Sequence, residues 1–220
     1  LGFTVLPASK ASAFTTNSNA IQIQYTTSSG TNSVFTMGLV GPQNLQYALT
    51  SADPVDADFV SIPNGSSTTL EQIRPVAPLA NTNYLLTIRS VPGQAGNLYG
   101  LSGYNSTTGL GRVATQTSNR FITSIISLGN FPNLTSLHYL LSQTRLGLTV
   151  PASLPASVTD LSYLFFWQEP SNDQSTALPD LSHWNTSNVT KMNGTFRGHP
   201  TYNLSLSAWN VSNVTDMSNM

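Results

Sequence analysis

One short pattern recurs four times in the C-terminal half of this chain of 220 residues, and it constrains the fold more than any other feature. Asn133-Leu134-Thr135-Ser136-Leu137 corresponds to Ser157-Val158-Thr159-Asp160-Leu161, to Asn188-Val189-Thr190-Lys191-Met192 and to Asn213-Val214-Thr215-Asp216-Met217. Successive copies lie 24, 31 and 25 residues apart. A unit of that length has one apolar stripe that it cannot bury alone, and stacking the units joins the stripes into a continuous core. The expected rows are Leu134, Val158, Val189 and Val214, then Leu137, Leu161, Met192 and Met217. Another apolar residue follows four positions later in three copies, as Leu141, Phe165 and Phe196. Trp184 and Trp209, in the shared runs Leu181-Ser182-His183-Trp184-Asn185 and Leu206-Ser207-Ala208-Trp209-Asn210, are expected to be neighbours in a third row. Asn133, Asn188 and Asn213 place an amide at a turn, where it can satisfy backbone groups left open by the ladder.

The best copy, Trp209-Asn210-Val211-Ser212-Asn213-Val214-Thr215-Asp216-Met217-Ser218-Asn219-Met220, resembles the repeat of BspA-like leucine-rich bacterial surface proteins, a type also seen in mycoplasma lipoproteins and in some phage and giant-virus proteins. Trp184-Asn185-Thr186-Ser187-Asn188-Val189-Thr190-Lys191-Met192 is a second good copy. The resemblance covers about residues 125 to 220 and departs from the pattern in an insertion around Gln168 to Ala177. It implies a leucine-rich-type repeat solenoid, preceded by a β-sandwich, with a role in adhesion or display rather than catalysis.

The N-terminal half reads as β. Ala20 to Tyr25 and Asn44 to Leu49 alternate apolar and polar residues, the period of a half-buried strand. Ser33 to Val40 follows a turn-like Ser28 to Asn32, and Asn83 to Val91 is the strongest strand, closed by Pro92-Gly93. The fold class is therefore mainly β, an antiparallel sandwich over residues 1–119 and a repeat solenoid over 120–220. Tyr84, at the start of its strand, fits an immunoglobulin-like corner, and another sandwich topology fits the same pattern. Residues 95 to 119 read as a long loop or irregular hairpin pinned by Leu98, Tyr99, Leu101 and Tyr104. Arg120 to Leu128 is apolar and is expected to form the first solenoid strand, continuous with the core under the sandwich. Leu1 to Leu6 reads as an ordinary first strand rather than a signal remnant, since a basic flank is missing. The chain is expected to continue beyond Met220, because the last copy carries the best consensus instead of the polar replacements of a terminal unit.

Composition sets the functional classes. Charged residues make up 8% of the chain, against about 25% in ordinary soluble domains, and Ser, Thr, Asn, Gln and Gly take their place. The net charge of -1 gives no electrostatic case for nucleic acid. No apolar run is long enough to span a bilayer, and the chain has no cysteine. Asp53-Pro54-Val55-Asp56-Ala57-Asp58 is the one acidic cluster, a weak Ca²⁺ candidate that lacks the Gly and final Glu of an EF-hand. No zinc pattern, nucleophile elbow or phosphate loop occurs. A His183–Asp180 pairing is formally available. Frequent Asn-x-Ser/Thr sequons read as the repeat's own turn motif. These features point to a non-enzymatic protein without a cofactor on a cell or virion surface. Its partner is a protein or glycan on another surface or, in the alternative reading, copies of itself in a virion, fibre or filament.

Overall fold

The structure is a computed structural model, and it describes residues 14–27, 33–34, 37–66, 70–73, 76–77, 82–102, 121–142, 144, 148–166, 178–199 and 205–220. The chain is mainly β, its sheets are antiparallel, and no α-helix occurs among the described residues. The strands are β1 (Ile21–Thr26), β2 (Ser33–Val34), β3 (Met37–Val40), β4 (Leu45–Thr50), β5 (Val60–Ser61), β6 (Leu70–Ile73), β7 (Val76–Ala77), β8 (Asn83–Ser90), β9 (Gly100–Ser102) and β10 (Ile122–Leu128). A five-stranded sheet has the order β10-β1-β8-β4-β5, a three-stranded sheet the order β6-β3-β9, and β2 pairs with β7.

Successive residues of the central strands face opposite sides of the sheet. In β1, Ile21, Ile23 and Tyr25 enter the core, and in β8 Tyr84, Leu86 and Ile88 do the same. Their register places Ile21 opposite Ile88, Ile23 opposite Leu86 and Tyr25 opposite Tyr84, so large side chains form cross-strand pairs. Met37 and Leu39 of β3 and Leu101 of β9 join the same core from the three-stranded sheet. Leu1 to Leu6, Ser28 to Asn32, Phe35 and Tyr104 lie outside the described residues.

Two segments differ from the sequence reading. The run 120–128 was expected to open the solenoid, but β10 pairs antiparallel with β1 from Ile21–Leu128 to Tyr25–Ile122, with two register shifts. An apolar strand fits either neighbour, and the free edge of β1 takes this one. The other edge of β10 does reach the repeats. Ser124 bridges Thr149 in parallel, and the Ile125 amide donates to the Thr149 carbonyl at 2.9 Å. Within the stretch read as loop, Gly100–Ser102 is strand β9, and the Tyr99 amide donates to the Val40 carbonyl at 2.9 Å.

A single cluster of buried hydrophobic residues runs from Ile21 through Leu101, Leu128 and Leu134 to Val189, Met192 and Trp209. The sheets and the repeats therefore share one core. Its size matters, because a continuous core buries a larger share of the chain's apolar surface than two small ones.

Candidate functional site

The repeats are joined by a ladder of single parallel bridges. Gly100 bridges Ser136, Ser136 bridges Asp160, Asp160 bridges Lys191, and Lys191 bridges Asp216. Backbone groups between copies follow a fixed register. The amides of Leu137, Tyr139 and Leu141 donate to the carbonyls of Asp160, Ser162 and Leu164. Those of Leu161, Tyr163 and Phe165 donate to Lys191, Asn193 and Thr195, and those of Met192 and Gly194 donate to Asp216 and Ser218.

The repeated threonine anchors each rung in the opposite direction. The Thr135 carbonyl accepts from the amides of Thr159 (2.9 Å) and Asp160 (3.0 Å), and the Thr159 carbonyl accepts from those of Thr190 (2.8 Å) and Lys191 (3.1 Å). The threonine hydroxyls follow the same path, Thr135 to Tyr99, Thr159 to Thr135, Thr190 to Thr159 and Thr215 to Thr190, at 3.2 to 3.4 Å. Threonine recurs in every copy, but the hydroxyl's bond to the preceding copy is visible only in three dimensions.

The sequence-derived repeat residues fall as follows. Leu134, Leu137, Val158, Leu161, Val189, Met192, Trp184 and Trp209 are buried, Val214 is partly buried, and Met217 is 42% exposed. Trp184 Nε1 donates to the Pro151 carbonyl at 3.0 Å, and Trp209 Nε1 to the Leu181 carbonyl at 2.9 Å, so each indole ties its own copy to the preceding one. The Asn188 amide donates to the Ala156 carbonyl (2.8 Å) and that of Asn213 to the Ser187 carbonyl (2.7 Å). Asn133 donates instead to the Asn97 side chain at 2.9 Å. Phe165 and Phe196 stack with centroids 5.9 Å apart and planes 7° apart.

The sequence did not reveal a second feature of the stack. Two residues after Leu137, Leu161, Met192 and Met217, the chain turns left-handed, at Tyr139 (φ 56°), Tyr163 (φ 54°), Gly194 (φ 61°) and Asn219 (φ 56°). Gly and Asn suit that region, whereas a tyrosine there is strained. Tyr139 and Tyr163 stack at 4.7 Å with planes 6° apart, and Phe166 meets both edge-on at 5.8 Å. The ring contact offsets the backbone cost. The signal available in the sequence was the Gly and Asn occupying the same slot in the later copies.

The acidic cluster does not converge. Asp53 accepts from the backbone amide and hydroxyl of Thr15, Asp56 pairs with Arg89 at 2.7 Å, and Asp58 accepts from the Val55 amide at 2.8 Å. Three carboxylates bound to three different partners make no Ca²⁺ cage. Among the described residues no group of three or more His, Cys, Asp or Glu side chains is placed to hold a metal. The His183–Asp180 pairing does not form a hydrogen bond, since His183 Nε2 lies 3.3 Å from the Pro151 carbonyl and Asp180 accepts from the Ser182 amide. Two exposed acids are tuned locally. The hydrogen bonds from Ser182 hold Asp180 below the usual carboxylate range, and those from Ser218 do the same for Asp216. Burial pushes His138 and His199 below the ordinary imidazole value. No helix among the described residues is long and apolar enough to cross a membrane.

Residues 156–220 match a family described as Mycoplasma protein of unknown function, DUF285. The match spans the Thr159, Thr190 and Thr215 rungs and both repeat tryptophans, and it is consistent with a BspA-like protein over that segment. No curated protein and no solved structure matches the chain.

Proposed function

We propose that this chain is a non-enzymatic extracellular surface protein that displays a repeat solenoid for adhesion. In this reading residues 1–119 form a β-sandwich and residues 120–220 the leucine-rich-type solenoid, with β10 shared between them. The observation that carries it is the unbroken bridge ladder from Gly100 to Asp216, which fixes four repeats in register on a sheet-borne core. Such a stack presents a long, regular outer surface, and repeat proteins use surfaces of that kind to bind extended partners. The match to a family with BspA-like character over residues 156–220 supports the same reading.

The test combines oligomeric state with ligand capture. Light scattering of the purified chain is expected to give a monomer, and immobilised extracellular-matrix proteins and glycans are expected to retain it. Assembly into large regular particles, with no retention on either surface, would contradict adhesion and favour a structural subunit of a virion or filament.

A further inference from the structure

Two Asn-Gly pairs stand in the sequence, Asn64-Gly65 and Asn193-Gly194. Asparagine is among the chemically labile residues. A following glycine makes it more so, because no Cβ keeps the next backbone nitrogen away from the side-chain amide. That nitrogen attacks Cγ, and a five-membered succinimide closes. Where the nitrogen and the side-chain carbonyl are held decides whether the ring forms.

Asn193-Gly194 lies in the third copy, between two neighbours, since Lys191 bridges Asp160 on one side and Asp216 on the other. Each reacting group is tied to a different neighbour. The Asn193 side-chain oxygen accepts from the Ser162 hydroxyl of the second copy, and the Asn193 backbone carbonyl accepts from the Tyr163 amide at 3.0 Å. The Gly194 amide, the nucleophile, donates to the Ser218 carbonyl of the fourth copy at 2.8 Å. These bonds draw the electrophile and the nucleophile toward opposite sides of the stack. Gly194 is also buried, with the Tyr163 ring against it.

Asn64-Gly65 is held in another way. Its side-chain oxygen accepts from the Asn44 amide at 2.8 Å, and the Gly65 amide donates to the Pro42 carbonyl at 2.7 Å. Both groups are tied to one turn, between β3 and β4. This pair therefore serves as an internal reference for changes made in the repeats.

We propose that Asn193 is a self-modification site, kept latent by the stacking of the copies on either side of it. When those copies part from the third, the Gly194 nitrogen gives its proton to a solvent base and bonds to Asn193 Cγ. The Cγ–Nδ2 bond breaks, and the amide nitrogen takes a proton from water and leaves as ammonia. One water then opens the succinimide at either carbonyl, leaving aspartate or isoaspartate. The sum is one water in and one ammonia out, with no oxidant and no enzyme. Isoaspartate carries one more carbon in the backbone, so the bonds of Asn193 to Tyr163 and of Gly194 to Ser218 fall out of register and the fourth copy no longer restacks. The conversion is a one-way end to the order of the stack, and it holds whatever the surface binds.

Peptide mapping by mass spectrometry of the full chain, kept in mildly alkaline buffer, tests the site by reading amide-to-acid conversion at Asn193 and at Asn64 separately. Asn193 is expected to convert at least about 100-fold more slowly in the folded chain than in the urea-unfolded chain, because opening of the stack limits the folded rate. Ser162→Ala releases the side-chain oxygen and is expected to speed conversion at Asn193 about twofold to tenfold, the value of one hydrogen bond. Val214→Asp puts a charge in the partly buried row of the fourth copy and is expected to speed it about tenfold. Asn64 keeps the parent's rate in both variants. Should Val214→Asp unfold the whole chain, Asn64 accelerates as well, and Ser162→Ala then decides alone. In the converted fraction the Met192 amide, which donates to the Asp216 carbonyl of the fourth copy, is expected to exchange rapidly. Equal rates at Asn193 in the folded and unfolded chains would overturn the proposal. So would a rate that Ser162→Ala leaves unchanged, or a converted chain whose Met192 amide stays protected.

Discussion

The Tyr163 ring lies against Gly194, closely enough that a Cβ on Gly194 would stand inside any distance real Cβ atoms adopt. The neighbouring copy thus has no side chain where the tyrosine lies, and the glycine also supplies the left-handed φ of 61°. Gly194→Ala is expected to lose on both counts. The left-handed conformation costs about 1–2 kcal/mol, and displacing the ring costs about 1–3 kcal/mol. Urea unfolding measures the sum. In a Tyr163→Ala background the second part should vanish, so non-additivity of the double mutant isolates the contact.

Trp184 is 2% exposed and its indole donates to the Pro151 carbonyl at 3.0 Å. Trp184→Ala is expected to destabilise by about 3–5 kcal/mol. Trp184→Phe keeps most of the apolar contact and loses the donor, so its cost should be nearer 1–3 kcal/mol. A thermal shift near zero for the alanine variant would count against burial of this row.

Thr195 shows no exposure, and its hydroxyl lies 3.0 Å from the Leu161 carbonyl and 2.8 Å from that of Met192. Thr195→Val keeps the shape and removes the hydroxyl, while the Leu161 carbonyl keeps the Leu164 amide and the Met192 carbonyl keeps the Thr195 amide. The expected loss is about 0.5–1.5 kcal/mol. The same change at exposed Thr215, whose bond is 3.2 Å long, should cost clearly less.

Two buried histidines are expected to lower the stability of the repeats on mild acidification. Burial holds His138 and His199 below the ordinary imidazole value, and His199 Nε2 lies 2.7 Å from the Phe165 carbonyl. A base with a depressed folded pKa takes up its proton first in the unfolded chain. Stability is therefore full above about pH 6.5 and falls as pH drops from there toward the folded pKa values. Melting temperatures at pH 7.5 and 5.5 should show the decline, and His199→Gln should reduce it. A melting temperature that rises on acidification across that window would contradict the assignment.

Legibility in the sequence followed the physics of each element. Ile21 to Tyr25 was readable from its apolar and polar alternation, and Asn83 to Ser90 from a run of strand-forming residues closed by Pro92-Gly93. The repeat was readable because stacked positions need similar side chains, and Val158, Val189, Leu161 and Met192 take those places. The placement of β10 was not, since an apolar strand does not say which edge it joins, and Ile122–Leu128 uses both. The first rung at Gly100 lacks the repeat's side chains, because the Tyr99 carbonyl supplies the acceptor for Thr135 and Ser136. The left-handed tyrosines depend on dihedral angles and on contacts distant in sequence, which no local pattern encodes.

The four repeats and the five-stranded sheet are expected to open as one cooperative body, a claim that native-state amide hydrogen exchange tests residue by residue. Thr159, Leu161, Thr190 and Met192 all donate across the ladder. Their amides are expected to exchange slowly, with opening free energies close to those of Ile23 and Leu86 in the sheet. Rapid exchange at those four amides, with the sheet still protected, would contradict the claim.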